Sequence, residues 1–297
     1  MSKPWFQDFP AMEGGTLRDL KRAIDDGFGD FIGDHGEAIE RFFDPLKEFL
    51  IFFEKMLTGA PWPVVIAGLA LASWLASRST KITLGTVATL LLVGYFGMWD
   101  DTMKTVSMIL ASTLVALVLG LPIGILMARS RRLQACINPV LDVMQTMPSF
   151  VYLIPVVMLL GIGRVPGLLA VVVYAIAPII RLSCLGIQQV DRDALEAADA
   201  FGSSSWQRLR HVQLPLALPT IMAGVNQTIM LALSMVVVAS MIGVQGLGQP
   251  VLKAISNQYF ALGVFNGLAI VGIAIAFDRA LQSYGRRLQK HRQVPHG

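Results

Sequence analysis

Charge is what this 297-residue chain has least of. Only 15% of its residues are Asp, Glu, Lys or Arg, against about 25% in an average soluble domain. Hydrophobic residues make up 54% and mean hydropathy is +0.61. A soluble domain of this size needs more ionic surface than that, and intrinsic disorder needs far less hydrophobicity. There are two cysteines, Cys136 and Cys184, both in or beside apolar stretches, so a disulfide scaffold is excluded. The chain has no GxxxxGK[ST] phosphate loop, no HExxH and no CxxC, which removes ATP binding by that route and the commonest metal and redox sites. Its four histidines, His35, His211, His291 and His296, fall in loops or tails. No Ser–His–Asp set is one that membrane topology would bring together. The net charge of +4 says little about nucleic acid, and no nucleic-acid partner is expected. What remains is an all-α integral membrane protein in contact with lipid, with no catalytic residues, metal or cofactor of its own.

A membrane-crossing helix needs about 20 largely apolar residues. Seven stretches are free of Asp, Glu, Lys and Arg: 56–77, 82–99, 105–128, 143–163, 165–180, 211–252 and 254–277. The fifth extends past Arg181 to Ile187, because an arginine can snorkel to the interface. The sixth is too long for one crossing. Leu214-Pro215 through Pro219 at its front and Gly243, Gly246, Gly248 and Pro250 at its rear read as breaks, which leaves a span near 219–242. About seven transmembrane helices are expected.

Lysine and arginine give the orientation. With the N-terminus outside, the inward segments 78–81, 129–142, 181–210 and 278–297 carry fourteen basic residues. The short outward loops carry three, Lys104, Arg164 and Lys253, a strong positive-inside bias. The C-terminus is then cytoplasmic. Residues 1–35 are acidic and glycine-rich with no apolar h-region, so a cleaved secretory leader is not expected. In 37–57, Ile39, Phe42, Phe43, Leu46, Leu50, Phe53 and Leu57 recur at helical spacing. That segment reads first as a helix lying in the membrane interface and second as one packed on the bundle. Pro45 would kink it or mark its start.

The inward segment 188–216 is the one long loop. Asp191 or Asp193 can cap a short helix, and Glu196 stands three residues after Asp193, as in a capping box. Ala194, Leu195, Ala197, Ala198 and Ala200 favour helix, and Gly202 stands where a helix ends in the left-handed conformation. Ser203–Ser205 can cap a second helix containing Trp206, Arg208, Leu209 and Arg210, and Leu214-Pro215 would stop it. Small alanines let a partner surface approach closely. The plainer alternative is an amphipathic connector on the lipid headgroups.

Glu196-Ala197-Ala198, three residues, Gly202, nine residues, then Val212-Gln213-Leu214-Pro215 resembles the EAA loop of ABC importer permeases, departing only in Val for Ile. The resemblance implies that Glu196, Ala197, Ala198, Gly202, Leu214 and Pro215 couple the chain to an ATP-binding subunit. Gln145-Thr146-Met147-Pro148-Ser149-Phe150, Gly161 to Gly167, and Asn226-Gln227-Thr228 through Ala239–Gly243 are similar to the glycine betaine/proline permeases of osmoprotectant importers. The likeness covers about 100–281 and extends to choline permeases. It implies a five-helix type I core (105–128, 143–163, 165–185, 219–242 and 258–277) within a unit at 101–285 that contains the loop. Around it stand an N-terminal outward tail at 1–57, two peripheral helices within 58–100 and a basic tail at 286–297. It further implies a homodimer in a bacterial inner membrane, two ATP-binding subunits that hold the ATP and Mg, and a periplasmic or lipid-anchored substrate-binding protein. The substrate would be glycine betaine, proline, choline or carnitine.

Polar residues inside uncharged spans face helix partners or a cavity. Gln145, Thr146, Ser149 and Tyr152 lie on a proline-broken helix, and Asn226, Gln227, Thr228, Ser234 and Ser240 on the fourth core helix. They serve either interhelical hydrogen bonds or a translocation path wet enough for a zwitterion yet free of fixed charge. Phe150 and Tyr152 are weak candidates for a cation–π cage. Gly120 and Gly124 form a GxxxG packing pair, and Gly243–Gly248 an outer gate or re-entrant loop. An ion-coupled secondary transporter, the rival from another class, would need a charged residue near a span's centre, and none is present.

Overall fold

In a lipid environment helices gain nothing by burying leucine against leucine, so close contact depends on small residues that let backbones meet. The computed structural model describes Met12 and residues 14–290, with side chains to residue 288. Residues 1–11, 13 and 291–297, which include His291, His296 and most of the expected basic tail, lie outside the described residues. The described residues form helices α1 (Gly14–Thr58), α2 (Trp62–Ser77), α3 (Thr80–Tyr95), α4 (Trp99–Arg129), α5 (Arg131–Thr146), α6 (Leu153–Leu160), α7 (Arg164–Gln188), α8 (Arg192–Ala200), α9 (Ser205–Arg208), α10 (Leu214–Ala239), α11 (Gly248–Asn257) and α12 (Phe260–Lys290).

The chain falls into two compact units, residues 1–45 and 46–297. In the first, the acidic, glycine-bearing stretch from Gly14 is helical, although its composition alone did not suggest it. Its residues are mostly exposed, with a local Arg41–Glu37 pair and a Phe31–His35 stack.

The second unit is the bundle. Its centre is α4, α7 and α10, and the glycines mark their contacts. A Cβ on Gly120 would stand 2.5 Å from Ile179 Cγ2, and one on Gly124 would stand 2.6 Å from the Ile180 carbonyl oxygen. The GxxxG pair is therefore where α4 lies against α7. Gly224 does the same for α10, where a Cβ would meet Leu182 and Ile179 at 3.1 and 3.3 Å. Around this centre the main core includes Ile109, Leu168, Val171, Ile179, Ala232 and Met235, all buried. A second core, with Val65, Leu90, Met103, Val106 and Ile273, ties α2 and α3 to α4 and α12. Residues 46–58, the end of α1, pack on the bundle through Leu46, Phe49, Leu50 and Phe53. Pro45 neither starts nor ends the helix; it lies inside it.

Four helices are long and apolar enough to cross a membrane: Trp99–Arg129, Arg164–Gln188, Ser205–Ile242 and Phe260–Leu288. Two bent pairs and the sixteen-residue α3 account for the other three charge-free stretches. The stretch 143–163 is not one straight helix. The bend between Arg131–Thr146 and Ser149–Leu160 is 113°. Met147 precedes Pro148, whose ring disfavours helical geometry at the residue before it, and Met147 is extended at φ −69°, ψ 134°. Leu214-Pro215 also differs from expectation. It does not stop a helix, because a wide turn over Leu209–Gln213 carries α9 directly into α10. A π-type turn loosens the backbone ladder in the segment where a regular helix would need the N–H that proline lacks.

Candidate functional site

The 188–216 loop folds as a helix–turn–helix knob. Asp191, rather than Asp193, is the cap of α8, its carboxylate accepting from the Asp193 N–H at 3.0 Å. The capping box belongs to the next helix: Ser204 Oγ accepts from Gln207 N–H, and Gln207 Oε1 accepts from Ser204 N–H. Glu196 takes part in no cap and is exposed. The end of α8 is a Schellman turn. Gly202 N–H donates to Asp199 O at 2.9 Å and Ser203 N–H to Ala198 O at 3.1 Å, with Gly202 at φ +74°. This is the left-handed position expected from the sequence.

Arg208 closes the knob across that turn, its Nη1 donating to both carboxylate oxygens of Asp199 at 2.8 and 2.6 Å. Ala198 is buried beneath, while Glu196, Ala197 and Gly202 are exposed. Leu214 is half-buried against the main core, and Pro215 is exposed at the head of α10. Phe201, which the sequence pattern did not single out, is 92% exposed, and Trp206, placed there only as part of the second helix, is 61% exposed. Two bare aromatics beside small exposed residues form an exposed apolar face. An aromatic pair flanking the Gly202 turn was the available signal.

The polar residues divide. Gln145, Asn226 and Gln227 line one cavity of about 360 Å³ between α5, α7 and α10, together with Met144, Tyr174, Pro178, Met230 and Leu231. No lining residue is a carboxylate or a cation. Asn226 Nδ2 donates to Asp278 of α12 at 2.9 Å, while its buried Oδ1 has no hydrogen-bond partner among the described residues. Asp278 also accepts from Gln282. Sequence spacing gave no hint of Asp278, which comes from 52 residues away.

Thr146, Ser149, Tyr152 and Ser234 do not line that cavity. Thr146 Oγ1 donates to Val143 O and Ser234 Oγ to Met230 O, each within its own helix. Tyr152 is buried; its hydroxyl donates to the Met144 carbonyl across the proline break, and its ring meets Tyr174 edge-on at 5.6 Å. It props the broken segment beside the cavity. Phe150 is exposed, so the two form no cage. The 243–248 segment is a tightly packed turn between α10 and α11. Val244 and Leu247 are buried, and Leu247 N–H donates to Thr105 Oγ1 of α4 at 2.9 Å. Arg164 at the head of α7 bridges Glu54 of α1 at 2.7 Å and Gln245 at 2.9 Å.

Residues 120–290 match the family described as "binding-protein-dependent transport system inner membrane component". The chain is 50% identical over 242 residues to the glycine betaine/proline betaine transport system permease protein ProW of Escherichia coli (strain K12), an alignment covering 82% of this chain and 68% of that protein. It is 43% identical over 256 residues to the glycine betaine transport system permease protein OpuAB of Bacillus subtilis (strain 168), covering 86% and 88%. Among solved structures it resembles the inward-facing MetNI methionine ABC transporter, with a TM-score of 0.57 at 20% identity over 62% of this chain and 93% of that one. At that identity the likeness is one of fold.

Proposed function

Because the chain belongs to the family of binding-protein-dependent transport system inner membrane components, we propose that it is the membrane permease of an ATP-driven importer of glycine betaine or proline betaine. The observation that carries this reading is the knob. A rigid helix–glycine–helix unit presents small and aromatic residues outward and runs without interruption into α10. A push on Phe201 or Trp206 is thereby transmitted along a helix that lines the polar cavity.

The knob docks on an ATP-binding subunit, which holds the ATP and Mg. Two copies of this chain supply the two coupling knobs, and an external binding protein delivers the substrate. The fourteen-to-three basic bias supports the knob and C-terminal end lying in the cytoplasm and residues 1–57 lying outside. The cavity suits a betaine. Its volume falls at the lower end of small-molecule sites, and its amides and tyrosine offer dipoles without an opposite fixed charge to trap a zwitterion. Transport proceeds by alternating access, with closure of the ATP-binding pair moving the knobs and rocking the bundle about the cavity.

The test is reconstitution in vesicles with an ATP-binding subunit and a betaine-binding protein. Uptake of labelled glycine betaine should require all three components and ATP, and the pure chain should hydrolyse none. Competition with choline and carnitine measures the neighbouring substrate readings. Uptake driven by an ion gradient without ATP would sink the proposal in favour of a secondary transporter.

A further inference from the structure

A groove of about 300 Å³ runs between α3 and α12, lined by Lys81, Gly85, Thr89, Gly272, Ala276 and Arg279 among others. The helices are antiparallel here. Thr89 meets Gly272, where a Cβ would come within 2.7 Å of Thr89 Cγ2. Lys81 lies eight residues back along α3, and Arg279 seven residues on along α12. Both cations therefore stand at one mouth of the groove, about 11–12 Å along it. Both are exposed, and neither makes an ion pair or hydrogen bond among the described residues. The groove itself is apolar. Thr89 donates its hydroxyl to the Gly85 carbonyl at 2.9 Å and turns its methyl toward Gly272 of α12, and Gly85 leaves open space where a side chain would stand. A second cavity of about 200 Å³, sharing Thr89 and Ala276, adjoins it. Helix α3 begins at Thr80, so its positive end lies at the same mouth.

An apolar slot between two lipid-facing helices, closed at one end by two unpaired cations, has the polarity of a phospholipid. We propose that this groove binds one anionic phospholipid, with an acyl chain laid along Gly85 and Ala276 and the phosphate held between Lys81 and Arg279. A zwitterionic lipid fits the slot equally well but brings no net charge to the mouth, so the site selects by headgroup charge. Basic side chains near a membrane surface attract anionic lipid by about 5-fold in affinity each.

The full chain, purified from nanodiscs of equal phosphatidylglycerol and phosphatidylcholine, is examined by native mass spectrometry for retained lipid. The wild type should keep phosphatidylglycerol over phosphatidylcholine. Lys81→Gln with Arg279→Gln should reduce that preference by about 30-fold while still admitting a chain. Gly85→Phe should displace lipid of either kind by filling the slot. As a control, Arg131→Gln with Arg132→Gln removes equal charge elsewhere and should leave the preference intact. The proposal is overturned if this control lowers the preference as much as the groove pair does, or if the groove pair changes nothing. It is also overturned if Gly85→Phe leaves lipid retention unchanged but alters oligomeric state by light scattering, which would assign the groove to a second copy of the chain.

Discussion

Arg208 in α9 donates from one nitrogen to both carboxylate oxygens of Asp199 in α8, pinning two helices whose only covalent link is the turn at Gly202. The pair is partly exposed, 33% and 51% by side chain, and such pairs contribute about 0–1 kcal/mol to stability. Its effect is on the angle between α8 and α9, and so on the disposition of the exposed Phe201 and Trp206.

Breaking the pair should therefore uncouple the permease without unfolding it. Arg208→Gln and Asp199→Asn are each expected to lower betaine-stimulated ATP hydrolysis several-fold, with membrane insertion and thermal midpoint unchanged. The swap Asp199→Arg with Arg208→Asp should recover part of the loss, read as a coupling energy in a double-mutant cycle. Wild-type activity in both single variants would remove the pair from the mechanism.

At Gly202 the expected cost is conformational. A Cβ there meets nothing within 4 Å, yet φ is +74°, which a β-branched residue resists at about 1–3 kcal/mol. Transport should rank Gly202, then Gly202→Asn, then Gly202→Ala, then Gly202→Val, since asparagine tolerates the left-handed region. A ranking by side-chain volume instead of by left-handed tolerance would point to a docking clash at this position.

Charge spacing exposed the helices of the bundle well, because lipid forbids ions over a length that a sequence displays directly. The Gly202 turn was legible for a similar reason: one residue type satisfies one backbone requirement. Contacts between distant segments were not legible. Asn226 with Asp278, Arg164 with Glu54 and Leu247 with Thr105 each join residues more than fifty positions apart, and no local periodicity encodes them. Tyr152 shows the opposite hazard. A tyrosine in a polar run reads as a path residue, whereas its hydroxyl is occupied by the Met144 carbonyl. The direction of a single side chain decides such a role, and composition does not contain it.

Gly124 should be intolerant where Gly68 is not. A Cβ at 124 would come within 2.6 Å of the Ile180 carbonyl oxygen and 2.7 Å of Ser183 Cβ, whereas one at 68 meets nothing within 4 Å. Gly124→Val forces α4 from α7 and is expected to cost about 1–3 kcal/mol or more, lowering membrane yield and the melting temperature in detergent. Gly68→Ala should be neutral or stabilising by up to about 1 kcal/mol. Equal melting temperatures for the two variants would contradict the close approach.

Sidedness can be read by labelling. In a chain lacking Cys136 and Cys184, a cysteine at Ser203 should react with a membrane-impermeant maleimide only after the cells are opened, and one at Asn257 should react in intact cells. The reverse pattern would invert the orientation drawn from the basic residues.

The cavity offers the sharpest separation of function from stability. Gln227 lines it and is exposed, with no side-chain hydrogen bond among the described residues. Asn226 lines it too but is anchored, its amide held by Asp278. Removing Gln227 should therefore alter only what the cavity offers to a solute. Gln227→Ala is expected to lower uptake by raising the half-saturating betaine concentration delivered by the binding protein, with the melting temperature unchanged. Asp278→Leu removes the acceptor from a half-buried amide whose other polar atom already lacks a partner. Leaving a buried donor unmet costs about 1–3 kcal/mol, so both melting temperature and uptake should fall, uptake by about tenfold. Asp278→Asn keeps an acceptor oxygen in place and should restore most of both. If Asp278→Asn is as damaged as Asp278→Leu, the negative charge itself is required, and a path free of fixed charge is the wrong description of this cavity.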